Sequence, residues 1–139
     1  MSAAPNPTVR PGHDPHDPSA LLASRVLAAT PARVYAAFAD PAVLARWWGP
    51  DGFRNTIHAF DLREGGLWRM TMHGLDGTDY PNEARFMELK PGERWVIHHK
   101  APPWFELTAT FAAHGDGATV LTWRQRFESA AVCEALAPM

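Results

Sequence analysis

From Thr56 onward the chain alternates apolar and polar side chains in six runs that follow one another too closely for a crossover helix. The runs are Thr56 to Arg63, Leu67 to His73, Tyr80 to Leu89, Arg94 to Lys100, Trp104 to Ala113 and Thr119 to Glu128. Alternation of this kind belongs to a strand with one buried face. Four separators carry turn chemistry: Glu64-Gly65-Gly66, Asp76-Gly77, Pro91-Gly92 and Gly115-Asp116-Gly117. Lys100 to Pro103 is a looser break. Parallel neighbours need a connection of about a dozen residues or more. These links are shorter, so the runs pair antiparallel as a meander.

The chain upstream must then cover that sheet. The run Ala20 to Ala29 is short and apolar, and fits strand or helix equally until the start signals behind it are read. Thr30-Pro31 is a helix cap followed by proline at the first helical position, and Asp40-Pro41 repeats the signal. Val34, Ala37 and Phe38 share one face of the first helix. Val43, Leu44, Trp47 and Trp48 share a side of the second, which Gly49-Pro50 stops. Ala20 to Ala29 is therefore read as the first strand. Residues 1–18 hold five prolines and almost no large apolar side chain, so they are expected to form a disordered tail ahead of a single domain over 19–139. At the other end Ser129 caps a helix that runs into Met139 and is too short to cover the sheet by itself.

Composition narrows the partners. Thirteen Lys and Arg against fifteen Asp and Glu, without a basic run, argue against nucleic acid and against an anionic membrane. One cysteine, Cys133, suits a reducing compartment, and no stretch has the length or apolarity of a signal core or a membrane span. A cytoplasmic location is the expectation. Six tryptophans in 139 residues stand out, because large aromatics fill cores and also line apolar pockets.

Sorting by period two gives five of the six runs an apolar side. Trp68, Met70 and Met72 fall together, as do Trp95, Ile97 and His99, and Phe105, Leu107, Ala109 and Phe111. Leu121, Trp123, Gln125 and Phe127 follow suit, and the same rule puts Thr56, His58, Phe60 and Leu62 on one side. His58, His99 and Gln125 are thus polar groups set among aromatics. Leaving such a group buried and unpaired costs about 1–3 kcal/mol. They are either members of an internal hydrogen-bonded network or anchors in a wetted cavity.

The string Asp40-Pro41, Leu44-Ala45-Arg46-Trp47-Trp48-Gly49-Pro50, then Asp61-Leu62-Arg63-Glu64-Gly65-Gly66 and Trp68, resembles the activator of heat-shock protein 90 ATPase homologue family. That family lies within the START and birch-pollen-allergen-like (SRPBCC) superfamily. The likeness continues through Met72-His73-Gly74, Asp76-Gly77, Tyr80-Pro81-Asn82-Glu83 and the Thr119 to Phe127 run, and covers about Leu21 to the end. It implies an α+β helix-grip fold: a seven-stranded antiparallel sheet around a long C-terminal helix, with a cavity between them. By that comparison the helix ending at Met139 is some twenty residues short, which implies a truncated or unobserved stretch or a more open cavity. An uncovered apolar sheet face would favour a homodimer.

The resemblance implies binding of a small hydrophobic molecule, with no cofactor called for. The pocket candidates are Trp48, His58, Phe60, Trp68, Met70 and Met72, together with Tyr80, Trp95, His99, Phe105, Trp123 and Gln125. Each has a plainer reading as core, and Trp47 with Trp48 either gate a pocket or staple helices to sheet. A cyclase- or hydrolase-like enzyme acting on a polyketide-like substrate is the alternative, with His58, His99 or Glu83 as acid–base groups and Tyr80 and Asn82 orienting a carbonyl. A chaperone-regulating interaction protein is a third class. No metal is expected: His13-Asp14-Pro15-His16-Asp17 lies in the proline-rich tail, and His98 and His99 point to opposite faces. Neither a Gly-x-Ser-x-Gly elbow nor a phosphate loop is present, and nothing activates Cys133.

Overall fold

The computed structural model describes residues 12–49, 52–100 and 104–136. Two strands, β1 (Gly12–Asp14) and β2 (Asp17–Leu27), lead into helices α1 (Pro31–Ala39) and α2 (Pro41–Trp47). The meander follows as β3 (Arg54–Phe60), β4 (Leu67–His73), β5 (Asp79–Lys90), β6 (Arg94–His99), β7 (Phe105–Ala113) and β8 (Thr119–Phe127). A last helix, α3, spans Ala130–Leu136. All eight strands form one open antiparallel sheet in the order β1-β2-β8-β7-β6-β5-β4-β3. The chain's first long strand therefore closes onto its last, with Ala20 opposite Arg126 and Leu27 opposite Thr119.

Local chemistry makes the helix pair. Thr30 Oγ1 accepts from Arg33 N, and the Asp40 carboxylate accepts from Ala42 N at 3.0 Å, so Asp40 ends α1 and starts α2. Trp47 Nε1 donates to the Ala37 carbonyl at 3.0 Å and locks the helices together. The Asn55 amide donates to the carbonyls of Ala45 and Trp48, at 3.0 and 2.8 Å, and thereby fastens the end of α2 to β3. At the β3–β4 connection a Cβ on Gly66 would lie 1.9 Å from the Asp61 carbonyl oxygen, so only glycine allows that turn.

Two sequence expectations change and a third holds. The sheet has eight strands rather than seven, because residues 12–18, assigned to the disordered tail, build a hairpin onto its edge. Ion pairing orders them rather than apolar burial: Arg124 binds Asp14 at 3.0 Å and Asp17 at 2.8 Å. Residues 1–11 lie outside the described residues. Next, β3 does not keep period two. Its register shifts between Ile57 and Ala59, so Ile57 and Phe60 face inward while Thr56 and His58 face outward. Leu62 lies beyond the strand and is exposed. Finally, α3 begins as expected, with Val132 N donating to Ser129 Oγ at 3.2 Å, and it packs against β2 and β8.

Candidate functional site

The inner face of the sheet divides into two halves. Over β4, β5 and β6 it is filled. Trp68 and Trp95 are fully buried, as are Phe86, Ile97 and, within 1%, Met70. α2 lowers Trp48 onto Trp68 with ring centroids 4.8 Å apart, and α1 sets Phe38 against Trp95 at 5.0 Å and Phe111 at 5.1 Å. Edge-to-face contacts at these spacings add about 0.5–1.5 kcal/mol each beyond area burial. The packing has a cost, since Nε1 of Trp68 and of Trp95 is buried without an acceptor among the described residues. Of the expected pocket residues, Trp48, Trp68, Met70 and Trp95 belong to this solid core.

Toward β7, β8 and β2 the same face opens. Leu121, Trp123 and Phe105 are only partly buried, although all three pack against the core. Trp123 meets Phe38, Trp47 and Trp48 at 6.0–6.4 Å, looser than the contacts beneath α1 and α2. Register places Gln125 between Leu21 and Leu107, and Trp123 between Ala23 and Ala109. Met72 and Tyr80 continue the opening at the β4–β5 side, Tyr80 exposed and stacked on Phe53.

One polar pair, on β5 and β6, borders this half. His99, 7% exposed, lies flat on Phe105 with centroids 4.4 Å apart and planes 6° apart. Its Nε2 is hydrogen-bonded to Asn82 Oδ1, and the Asn82 amide nitrogen donates to the Tyr80 carbonyl at 3.0 Å. The second bond fixes which end of the asparagine is oxygen. An amide oxygen only accepts, so the proton of this contact sits on His99 Nε2. The ring is thereby held in one tautomer and one orientation. Gln125, by contrast, makes no hydrogen bond among the described residues and keeps both amide functions free.

The outer face is a polar surface with its own ion pairs. His98 binds Glu106 at 2.9 Å, and Arg126 reaches Glu106 at 3.5 Å while lying 5.1 Å over the Trp104 ring. Burial pushes the Glu106 carboxyl up, but the bond from His98 and the charge of Arg126 outweigh it and hold it low. His98 and His99 therefore do point apart. His58, expected inside, hydrogen-bonds Thr71 Oγ1 at 2.8 Å on this outer face. It also helps line an open depression of about 380 Å³ between α2 and β3, with Pro41, Ala45 and Phe60. Glu83 stands opposite Arg69, also outward. Thr56, His73 and Asp79 form a hydrogen-bonded chain at 2.7 Å per link that joins three strands on exposed surface.

Cys133 is fully buried against His13, with Sγ to Nδ1 3.8 Å, and burial raises its thiol pKa, so it is not a prepared nucleophile. No group of three or more metal-ligating side chains converges among the described residues. None of the described helices is long and apolar enough to cross a membrane. Sequence reasoning overlooked Asn55 and Arg25. Cross-strand register supplies the signal for both, and register cannot be counted without the β3 bulge and the β2–β8 pairing.

Comparison with known proteins agrees with this architecture. Protein CV1439 from Chromobacterium violaceum is 33% identical, over 84% of this chain and 88% of its own, with a TM-score of 0.73. Protein Ms6760 from Mycobacterium smegmatis is 25% identical over 94% and 85%, with a TM-score of 0.79. An Arthrobacter aurescens protein at 23% identity, over 94% and 81%, shares the fold with a TM-score of 0.84. No curated protein matches. The family described as activator of Hsp90 ATPase homolog 1-like protein matches residues 28–137, which is most of the chain, and the chain belongs to that family.

Proposed function

We propose that this protein binds one small, largely apolar molecule on the open half of the inner face. The observation that carries this reading is the pairing of partly exposed aromatic walls, Trp123 and Phe105, with an amide at Gln125 that has no partner among the described residues. Pockets for small molecules combine apolar walls with a few placed polar groups, and family membership supports a ligand-binding fold. The apolar body would lie on Trp123, Leu121 and Ala23. Gln125 would supply one donor and one acceptor, and the His99–Asn82 pair would bound the site at its far side. The test is titration of tryptophan emission with a panel of apolar molecules, alongside thermal melting. Saturable quenching that disappears in Trp123→Ala and weakens in Gln125→Leu supports the reading. A flat response across the panel, with no rise in Tm, removes it.

A second reading rests on the fixed His99 ring. An imidazole oriented by Asn82 beside a hydrophobic site is a group able to move a proton on a bound carbonyl compound. His99→Ala separates the two: turnover lost with affinity kept favours an enzyme, whereas equal loss of both favours binding alone.

A further inference from the structure

The strand registers give the inner face an unusual charge balance. From β2 to β8 every paired carboxylate faces outward: Asp79 stands opposite His73, Glu83 opposite Arg69, Glu88 opposite Val96 and Glu106 opposite His98. The Asp17 carboxylate turns to Arg124 on that same outer side. One formally charged side chain of these strands registers inward, and it is Arg25. It lies opposite Leu121 and two residues beyond Ala23, which faces Trp123.

Arg25 differs from the arginines around it. On the adjoining strand Arg124 is held by two aspartates and Arg126 by Glu106. Arg25 is exposed and forms no ion pair among the described residues; no carboxylate of β4 to β8 registers on its face, and Glu134 of α3, on the same side, is engaged by His13 at 3.3 Å. Strand rise is about 3.3 Å per residue, so the level of Arg25 is about 13 Å along β2 from that of Leu21 and Gln125. Ala23 and Trp123 fill the interval, and Leu121 lies level with Arg25. A guanidinium at one end, an apolar strip and a neutral amide at the other form a linear recognition element.

We infer that the ligand is an anionic amphiphile, an organic acid whose apolar body runs over Trp123 and whose carboxylate-type group is held by Arg25. This deepens the binding function proposed above and rests on it. Arginine matches a carboxylate in a planar, two-bond geometry and is more weakly hydrated than an ammonium group, so it gives up water at a pocket rim with less loss. Among the described residues the strands β4 to β8 register no carboxylate inward that would favour a cationic headgroup beside Arg25. A neutral long-chain alcohol gains the same apolar contact and nothing from Arg25.

The experiment compares decanoate and decyltrimethylammonium, each below its micellar concentration, and decanol below its solubility limit, by tryptophan quenching on wild-type protein and on Arg25→Gln. Decanol is the more hydrophobic probe, so apolar burial alone ranks it above decanoate. The expected result is the reverse: decanoate binding about tenfold tighter than decanol at low salt, weakening as salt rises, and losing its advantage in Arg25→Gln. Arg25→Gln should keep the wild-type melting curve and decanol affinity, because the side chain is exposed. Decanol equal to or tighter than decanoate in the wild type overturns the inference and leaves the binding function standing. So does an Arg25→Gln variant that still prefers decanoate. Failure of all three probes to bind overturns both.

Discussion

Two halves of one sheet face, built from the same residue types, have different fates. Over β4 to β6 tryptophan is structure: Trp68 and Trp95 are sealed beneath Trp48 and Phe38. Over β7, β8 and β2 tryptophan is surface, because α1 and α2 reach Trp123 only at its edge and α3 packs farther along β2 and β8. The side chains do not decide between core and pocket. What lies above them does.

The sharpest way to break this comparison is to remove one tryptophan from each half. Trp95→Ala opens a cavity in close-packed surroundings and should cost about 3–5 kcal/mol in urea unfolding, enough to prevent folding of a small domain. Trp123→Ala should cost roughly 1–2 kcal/mol, since its surroundings are already partly solvated, and yet abolish ligand quenching. Equal losses from the two would show that both halves are core.

The helix pair that seals the packed half should respond next. Asp40→Ala removes the cap of α2 and should lower stability by about 1 kcal/mol. Asn55→Ala frees the α2 carbonyls from β3, and hydrogen exchange should then rise in α2 while β7 and β8 stay protected. Uniform loss of protection would contradict a lid held by one side chain.

The smallest effect concerns the N-terminal hairpin beside the open half. The bond from His16 N, followed by that from Arg124, holds the Asp14 carboxyl below its ordinary value. Bonds from Ser19, with Arg124 again, do the same for Asp17. Folded groups with lowered pKa bind fewer protons than the unfolded chain, so their stabilisation is complete above the unfolded aspartate value of about 3.9. It is lost as pH falls through the lower folded values. Amide exchange in β1 should therefore accelerate selectively on acidification below about pH 4, and Arg124→Gln should produce the same loosening at neutral pH. No change in either would leave the hairpin held by its backbone pairing alone.

Much of this was written plainly in the chain. Caps at Thr30 and Asp40, turn glycines and period-two alternation gave the helices, six meander strands and the apolar side of most of them. Hidden were the features that depend on a partner far along the sequence. The β3 bulge moved His58 outward because the strand followed its partner β4 rather than its own period. Arg124 ordered Asp14 and Asp17 from more than a hundred residues away.

Local propensity and patterning determined that an antiparallel sheet with one apolar face and two capped helices would form, since those depend on neighbours a few residues apart. Which aromatics became core, which stayed open, and where Arg25 and His99 ended up were decided only by tertiary structure. Burial is set by what packs across the face, and no single strand contains that information.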